Sequence, residues 1–427
     1  MGGRPYPSVV EEKKKSMTGS LDRFVVSHPT GNTFVRALLN RLNNQSQLEK
    51  FFTTIGAGEG ANPLITSFCR EKRQYAITDK MISRQWMPEV ARLLSKGNQA
   101  NKRRRVDLSY QALDKKVSNG LASLTSHVLH SYEDGCSFSF ARAKQLGMQC
   151  SYELPIAHWA TVRRLLAEET ERYPEWEPTL ESTREPEEKL CRKEEELRLA
   201  DRITCPSQFV LDSIPMEIRQ KIPCQISPFG SPTCDQKYFQ PSSQMGVLKI
   251  LFVGSMSQRK GLADLFEAIK LLKNEPISLS ILGQPSMPLV FYRKQLSEFE
   301  YYRPCSNNKV RAIMKEHDAL VLPSIVEGRA LVQQEALSCG LPIIVTPNAG
   351  GEDLVVEGAT GHLVPIRSPE KIAEAINSIL AKRKNRDEIR KLCQKKAMEY
   401  SWANYAQSII DFNNDYVKSL QQVEIAC

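Results

Sequence analysis

In the stretch "LVLPSIVEGRALVQQEALSCGLPIIVTP" two glutamates, Glu327 and Glu335, stand eight positions apart. Seventy residues upstream, "GSMSQRKG" sets Arg259 beside Lys260. A carboxylate accepts hydrogen bonds from hydroxyl groups. A guanidinium grips phosphate oxygens in pairs, and an ammonium meets them as a point charge. Carboxylates close to a phosphate are repelled unless they face hydroxyls, so the two kinds of group need separate places around one ligand. His158, in "ELPIAHWATVRRLL", is a third candidate, and as a lone histidine it reads equally as a structural residue. Taken by themselves, Arg259 and Lys260 also describe a solvated surface.

These side chains need elements to hold them. Apolar runs at Lys249–Val253, Ser278–Leu282, Ala319–Leu322, Ile343–Thr346 and Gly361–Val364 read as strands of a parallel sheet. Helical periodicity lies between them, over Leu262–Leu272 and near Lys309–Glu316. Glu327 then falls on the loop after Ala319–Leu322, with Pro323-Ser324 ending the strand. Glu335 lies a turn or so into a helix starting near Ala330, whose first amides point at the same sheet edge. Gly254 and Gly283 end two of the other strands. Ser368-Pro369-Glu370 reads as a helix cap with proline at the first position.

The first half follows the same grammar less regularly. Phe24–Ser27 is a short strand, and "HPTGN" is a loop in which Gly31 marks either a tight turn or a close approach to ligand. A helix follows from Thr33. Gln149–Leu154 is a strand that places His158 at its carboxyl end, where open α/β sheets bind ligands. A charged helix follows, with Glu194 and Arg198 spaced for an i,i+4 pair. Arg202–Cys205 is a further strand, with a helix starting at Ser207. The region 228–246, rich in Pro, Gly and Ser, reads as an interdomain linker.

At 427 residues the chain exceeds the size of one core, so two domains are expected. With 41% hydrophobic and 25% charged residues it is an ordinary globular sequence, and its net charge of +9 favours anionic partners. Eleven scattered cysteines without a Cys-x-x-Cys pair suggest neither a disulfide framework nor a zinc site. No Asp-x-Asp occurs and no His/Cys cluster has metal-ligand spacing, so no metal and no cofactor are expected. No window approaches the roughly 20 apolar residues needed to span a bilayer, and a cytoplasmic protein is expected. The run Lys102-Arg103-Arg104-Arg105 reads as a solvated loop, or else as a peripheral contact with an anionic membrane face. Nucleic-acid binding is not expected, since aromatic residues do not interleave with these cations.

"FVGSMSQRKGLADLFEAI", "ALVLPSIVEGRALVQQEALSCGLPIIVTPNAGGEDLV" and "GHLVP" together resemble the donor-binding domain of glycosyltransferase family 4, retaining enzymes of the GT-B fold. The resemblance runs from near Val247 to the C-terminus and extends weakly to "HPTGNTFVRALLNRL" and "ELPIAHWATVRRLL". It implies two Rossmann-like doubly wound domains facing a cleft: an acceptor domain over 21–227 after a polar leader, 1–20, and a nucleotide-sugar domain over 247–400. The final segment, 401–427, would be a helix returning to the first domain. The resemblance implies that Glu335 binds the nucleotide ribose and that Glu327 sits by the transferred sugar. Arg259, Lys260 and the amides of Leu331 and Val332 would take the diphosphate. Gly31 and His158 would line the cleft from the acceptor side, with Gly254 and Gly283 on the donor side. The implied activity is metal-independent hexosyl transfer to a saccharide or lipid-linked acceptor. An epimerase, a phosphorylase and a silent binding subunit on the same fold are the alternatives. One departure stands out. The family's Glu-Gly-Phe-Gly is Glu327-Gly328-Arg329-Ala330 here, so Arg329 either meets an acidic group on the donor or points into solvent.

Overall fold

The computed structural model describes residues 22–69, 73–94, 99–180, 185–234 and 246–426. The polar leader and most of the expected linker, residues 235–245, lie outside this range.

The first domain contains β1 (Phe24–Ser27), β2 (Leu48–Thr53), β3 (Ala57–Glu59), β4 (Gln74–Thr78), β5 (Ile82–Arg84), β6 (Val128–Tyr132), β7 (Gln149–Glu153), β8 (Arg202–Cys205) and β9 (Cys224–Ile226). Seven of these form one parallel sheet in the order β5-β2-β1-β6-β7-β8-β9, and β3 pairs with β4 separately. The second domain contains β10 (Leu248–Val253), β11 (Ile277–Leu282), β12 (Glu300–Tyr302), β13 (Ala319–Leu322), β14 (Ile343–Val345) and β15 (Gly361–Leu363), all parallel in the order β12-β11-β10-β13-β14-β15. Helices cover both faces, so the central strands carry apolar residues on both sides; Phe24, Val25, Val26 and Ala319 through Leu322 are fully buried. This is the GT-B architecture of two Rossmann-like domains.

Several local expectations need correction. Lys102–Arg105 lie not in a loop but in the helix Gln99–Gly120, with all four side chains exposed. Glu194 does not pair with Arg198; it accepts a hydrogen bond from the Trp159 indole N–H at 2.7 Å. Ser368 occupies the cap position but its hydroxyl donates to the Ile366 carbonyl instead of accepting from the helix.

The two domains are joined by more than one chain crossing. Trp176, from the short turn Pro174–Thr179, is inserted into the second domain's core. Its ring meets Phe291 at 5.1 Å, Tyr292 at 5.7 Å and Phe266 at 5.9 Å. Edge-on aromatic pairs of this kind contribute about 0.5–1.5 kcal/mol each beyond the area they bury. In return, the helix Trp402–Ala426 crosses to the first domain, where Tyr405, Ala406, Ile409 and Ile410 pack with Val35, Leu38, Leu39 and Leu42 of the helix Thr33–Asn44.

Candidate active site

The carboxyl ends of β10 and β13 meet at the basic turn. After β10 the chain makes the turn Gln258–Lys260 and then enters the helix Leu262–Leu271. After β13 it runs through Pro323 to Gly328 before the helix Leu331–Ser338. Arg259 Nη1 lies 2.9 Å from Glu327 Oε2 and 3.0 Å from the Val326 carbonyl. Lys260 Nζ contacts the same oxygen, Glu327 Oε2. One carboxylate oxygen therefore holds two adjacent cations side by side, and among the described residues no hydrogen bond of the Glu327 side chain uses Oε1.

The electrostatics of the trio are asymmetric. Burial alone would raise the Glu327 carboxyl, but Lys260 and Arg259 outweigh it and hold it below its ordinary range. Lys260 is pulled below its ordinary value by burial, which prevails over the opposing charge of Glu327, with Arg259 adding a smaller push in the same direction as burial. The acid faces two partners of opposite sign, whereas the base also faces one of its own sign. The two cations therefore favour the ionised form of the carboxylate.

Glu335 is set differently. Half-buried on the second turn of its helix, its carboxylate has no hydrogen bond or ion pair to any described residue. Burial raises its pKa, and the distant charge of Arg311 only offsets this in part. The amides of Leu331 and Val332 open the same helix without a hydrogen bond to a described residue, as first-turn amides do. Gly254 and Gly283 end β10 and β11 in contact: a Cβ on Gly283 would lie 1.7 Å from the Gly254 carbonyl oxygen. Only glycine permits that approach.

On the facing domain, Gly31 is buried in the loop after β1. His158 caps the helix Trp159–Arg172, its Nδ1 accepting from the Ala160 amide at 3.4 Å. Its Nε2 lies 2.9 Å from Glu194 Oε1, and burial lowers its pKa despite that carboxylate. The structure thus brings Arg259, Lys260 and Glu327 into one cluster, sets Leu331, Val332 and Glu335 on the adjoining helix, and ties His158 to its own domain.

Arg329 goes neither to solvent nor to an open cleft. Its side chain is 1% exposed and forms a bidentate pair with Asp353, Nη1 to Oδ1 at 2.6 Å and Nη2 to Oδ2 at 3.1 Å. It also donates to the Gly350 carbonyl and lies over the Tyr400 ring. Gly328 just before it packs so closely on the first domain that a Cβ would lie 1.8 Å from the Pro155 oxygen. The Gly328 carbonyl accepts from Ser207 Oγ at 2.7 Å.

Sequence reading missed two residues here. Gln258, fully buried, donates to Glu169 Oε2 of the first domain at 2.6 Å and to Asp264 Oδ2 at 2.8 Å. Its partner Glu169 is 89 positions away, so spacing carried no signal. His28, at the carboxyl end of β1, is buried between the Phe34 and Tyr132 rings. Burial, aided by the charges of His130 and Arg73 against a Thr30 hydrogen bond, lowers its pKa to about 4. A histidine beside Pro29-Thr30-Gly31 at a strand's end was the available signal. Among the described residues no group of three or more His, Cys, Asp or Glu could hold a metal ion.

The fold defines a class: a two-domain protein built as GT-B glycosyltransferases are. Over residues 235–396 the chain matches the family model described as glycosyl transferases group 1, and it is a relative of that family through its second domain. It is 28% identical over 174 residues to a D-inositol 3-phosphate glycosyltransferase of Corynebacterium urealyticum, a match covering 38% of this chain and 41% of the relative. The matches span well under two thirds of the length of the curated relatives. Among solved structures, sucrose-phosphate synthase from Thermosynechococcus elongatus aligns with a TM-score of 0.64 at 16% identity, covering 93% of this chain and all of its own. An Anabaena protein, HepE, in complex with UDP aligns with a TM-score of 0.60 at 12% identity over 92% of this chain and 100% of its own. At such identities the likeness establishes the shared fold.

Proposed function

We propose that the chain transfers a hexose from a nucleoside diphosphate sugar to an acceptor hydroxyl, with retention of anomeric configuration and without a metal ion. The observation that carries this reading is the shared Glu327 Oε2, which keeps Arg259 and Lys260 together at the rim of the second sheet. Two cations so placed, next to the open amides of Leu331 and Val332, suit a diphosphate. The unpartnered Glu335 carboxylate suits ribose hydroxyls, and Glu327 Oε1 suits a sugar hydroxyl. The Anabaena protein of the same fold is in complex with UDP, which supports a nucleotide as part of the ligand.

In the reaction the bond from the anomeric carbon to the diphosphate oxygen breaks, and its electron pair leaves with the phosphate. The acceptor oxygen bonds the same face of that carbon, and its proton passes to the departing phosphate. Arg259, Lys260 and the helix amides stabilise charge growing on the leaving group, the interaction that matters most if it strengthens in the transition state. Cytoplasmic placement and a saccharide or lipid-linked acceptor belong to the same reading.

The test is a panel of nucleoside diphosphate sugars followed by thermal unfolding. A donor at a hundredfold excess over its dissociation constant stabilises by about 2.7 kcal/mol. The binding donor is then incubated with candidate acceptors in excess chelator. An α-linked product from an α-donor, formed at full rate, is expected. Stabilisation by no donor, or a product of inverted configuration, overturns the reading; rearrangement of the donor without acceptor would indicate an epimerase instead.

A further inference from the structure

We infer that the first domain docks on an anionic phospholipid surface through the helix Trp86–Leu94 and the adjoining basic turn of Gln99–Gly120. The helix Trp86–Leu94 is inside out. Its one acid, Glu89, is 2% exposed, while Trp86 is 57%, Met87 66%, Leu93 54% and Leu94 78% exposed. At helical spacing those four residues share an arc of about 120° with Val90 at its centre. Val90 itself packs against the small buried cluster of Ile55, Ala57 and Cys69, and on the preceding helix Pro63–Phe68 Leu64 is also 78% exposed.

Glu89 explains why the helix faces outward. It accepts from Arg73 at 2.7 Å, from Arg92 at 2.7 and 2.8 Å and from Ser109 at 3.2 Å. This carboxylate cluster pins Glu89 to the protein and leaves Trp86, Met87, Leu93 and Leu94 exposed to solvent. The anchor continues inward: Arg73 donates to Thr54 Oγ1 at 3.0 Å, and Thr54 donates to the Pro29 carbonyl at 2.6 Å, in the loop that holds Gly31. The outward face is thereby braced against the acceptor side of the proposed cleft.

Charge selects the occupant. Arg105 reaches the Ala91 carbonyl at 3.4 Å and Ser109 reaches Glu89, so the two helices run antiparallel and the cations from Lys102 to Arg105 flank Leu93 and Leu94. The nearest acids are already engaged, Glu89 as above and Asp107 with Arg192. A second copy would bring four exposed cations against four, and a nucleic acid would leave Trp86, Met87 and Leu94 without a use. An interface rich in lipid phosphate, with acyl chains just beneath, takes both halves of the patch. The inference does not depend on the transferase reading, and its failure would leave that reading intact.

The experiment is flotation of the full chain with phosphatidylcholine vesicles, with and without phosphatidylglycerol, at low and high salt. Binding is expected to the anionic vesicles and to weaken with salt. The double variants Lys102→Glu/Arg104→Glu and Trp86→Ser/Leu94→Ser should each cut partitioning by about tenfold or more, with thermal unfolding unchanged. Trp86 emission should shift to the blue on binding, a signal absent in Trp86→Phe. Three results would overturn the inference. One is no flotation at low salt, another is flotation indifferent to both double variants, and the last is self-association that the variants abolish without any vesicle binding.

Discussion

The two domains share a sheet plan but treat ionisable groups at their strand ends in opposite ways. In the second, Arg259 and Lys260 meet on one oxygen of Glu327, and the two cations hold its carboxyl below the ordinary range. In the first, the groups are sealed into the fold. His28 lies between two rings with its pKa near 4, His158 is tied to Glu194, and Glu153 accepts the Tyr405 hydroxyl at 2.7 and 2.8 Å. One wall of the proposed cleft thus gathers ionic groups, a charged wall, while in the other burial favours the neutral form of the two histidines, a neutral wall. A charged wall suits a diphosphate, and a neutral wall suits the hydroxyl groups of an acceptor.

The strongest attack on this contrast is at Lys260. Lys260→Ala leaves Arg259 and Glu327 paired but removes one cation from the leaving group. The kcat should fall by about 10²–10³-fold, the cost of deleting one preorganised partner of developing charge. Steady-state kinetics with the donor identified above would measure it. Stability should hardly change, because burying the ammonium already opposes its charged form. An unchanged kcat would remove the charged wall from the chemistry.

The same contrast decides how much could be read from the residues alone. The second domain was legible because its site is local: Arg259 and Lys260 are neighbours, and Glu327 and Glu335 sit on one loop and the helix after it. The limits of the five strands read there agree to within a residue, Ala319–Leu322 outright, whereas the short edge strand β12 escaped the reading. The first domain's arrangement comes from topology. Glu153 meets Tyr405 across 252 positions because the last helix returns to the first sheet, and no periodicity encodes that. β2 to β6 lay within a long region where short strands and basic helices left no clean pattern. Arg329 failed for a related reason: its partner Asp353 lies beyond β14, so a cation expected to meet the donor or to point into solvent is in fact a buried strut.

Arg329 supplies the converse test, stability lost with chemistry spared. Arg329→Ala removes both donors to Asp353 and the bond to the Gly350 carbonyl. Asp353 is 37% exposed and can recover water, which limits the cost to about 1–3 kcal/mol. Chemical denaturation should show this loss, while kcat falls far less than in Lys260→Ala. A kcat loss as large as that of Lys260→Ala would move Arg329 into the donor site.

Glu335 sharpens the comparison within the charged wall itself. Its carboxyl is raised by burial, so the folded state binds a proton more readily than the unfolded chain. Stability then falls as pH rises from the ordinary carboxylate value through the folded one, and the penalty is complete above both. Glu335→Gln should therefore stabilise the protein modestly at neutral pH and give no gain at acid pH, while donor affinity drops. A neutral-pH loss of stability would show that Glu335 has a protein partner.

At neutral pH the smallest effect belongs to His28, and its sign is opposite to that of Glu335. The folded pKa of about 4 lies below the ordinary 6.5, so the unfolded chain binds the proton first on acidification. Stability is fully held above pH 6.5 and declines as pH falls toward 4. His28→Gln should cost little in this term at pH 8, yet flatten the acid limb of the stability curve measured by thermal unfolding. His158, also lowered by burial, contributes in the same direction. If the acid limb kept its full slope in a His28→Gln/His158→Gln double variant, the acid sensitivity would belong to carboxylates such as Glu327 of the charged wall, whose depressed pKa also makes stability fall with pH, but only below the ordinary carboxylate range. The two walls are therefore separable by where on the pH axis each one fails.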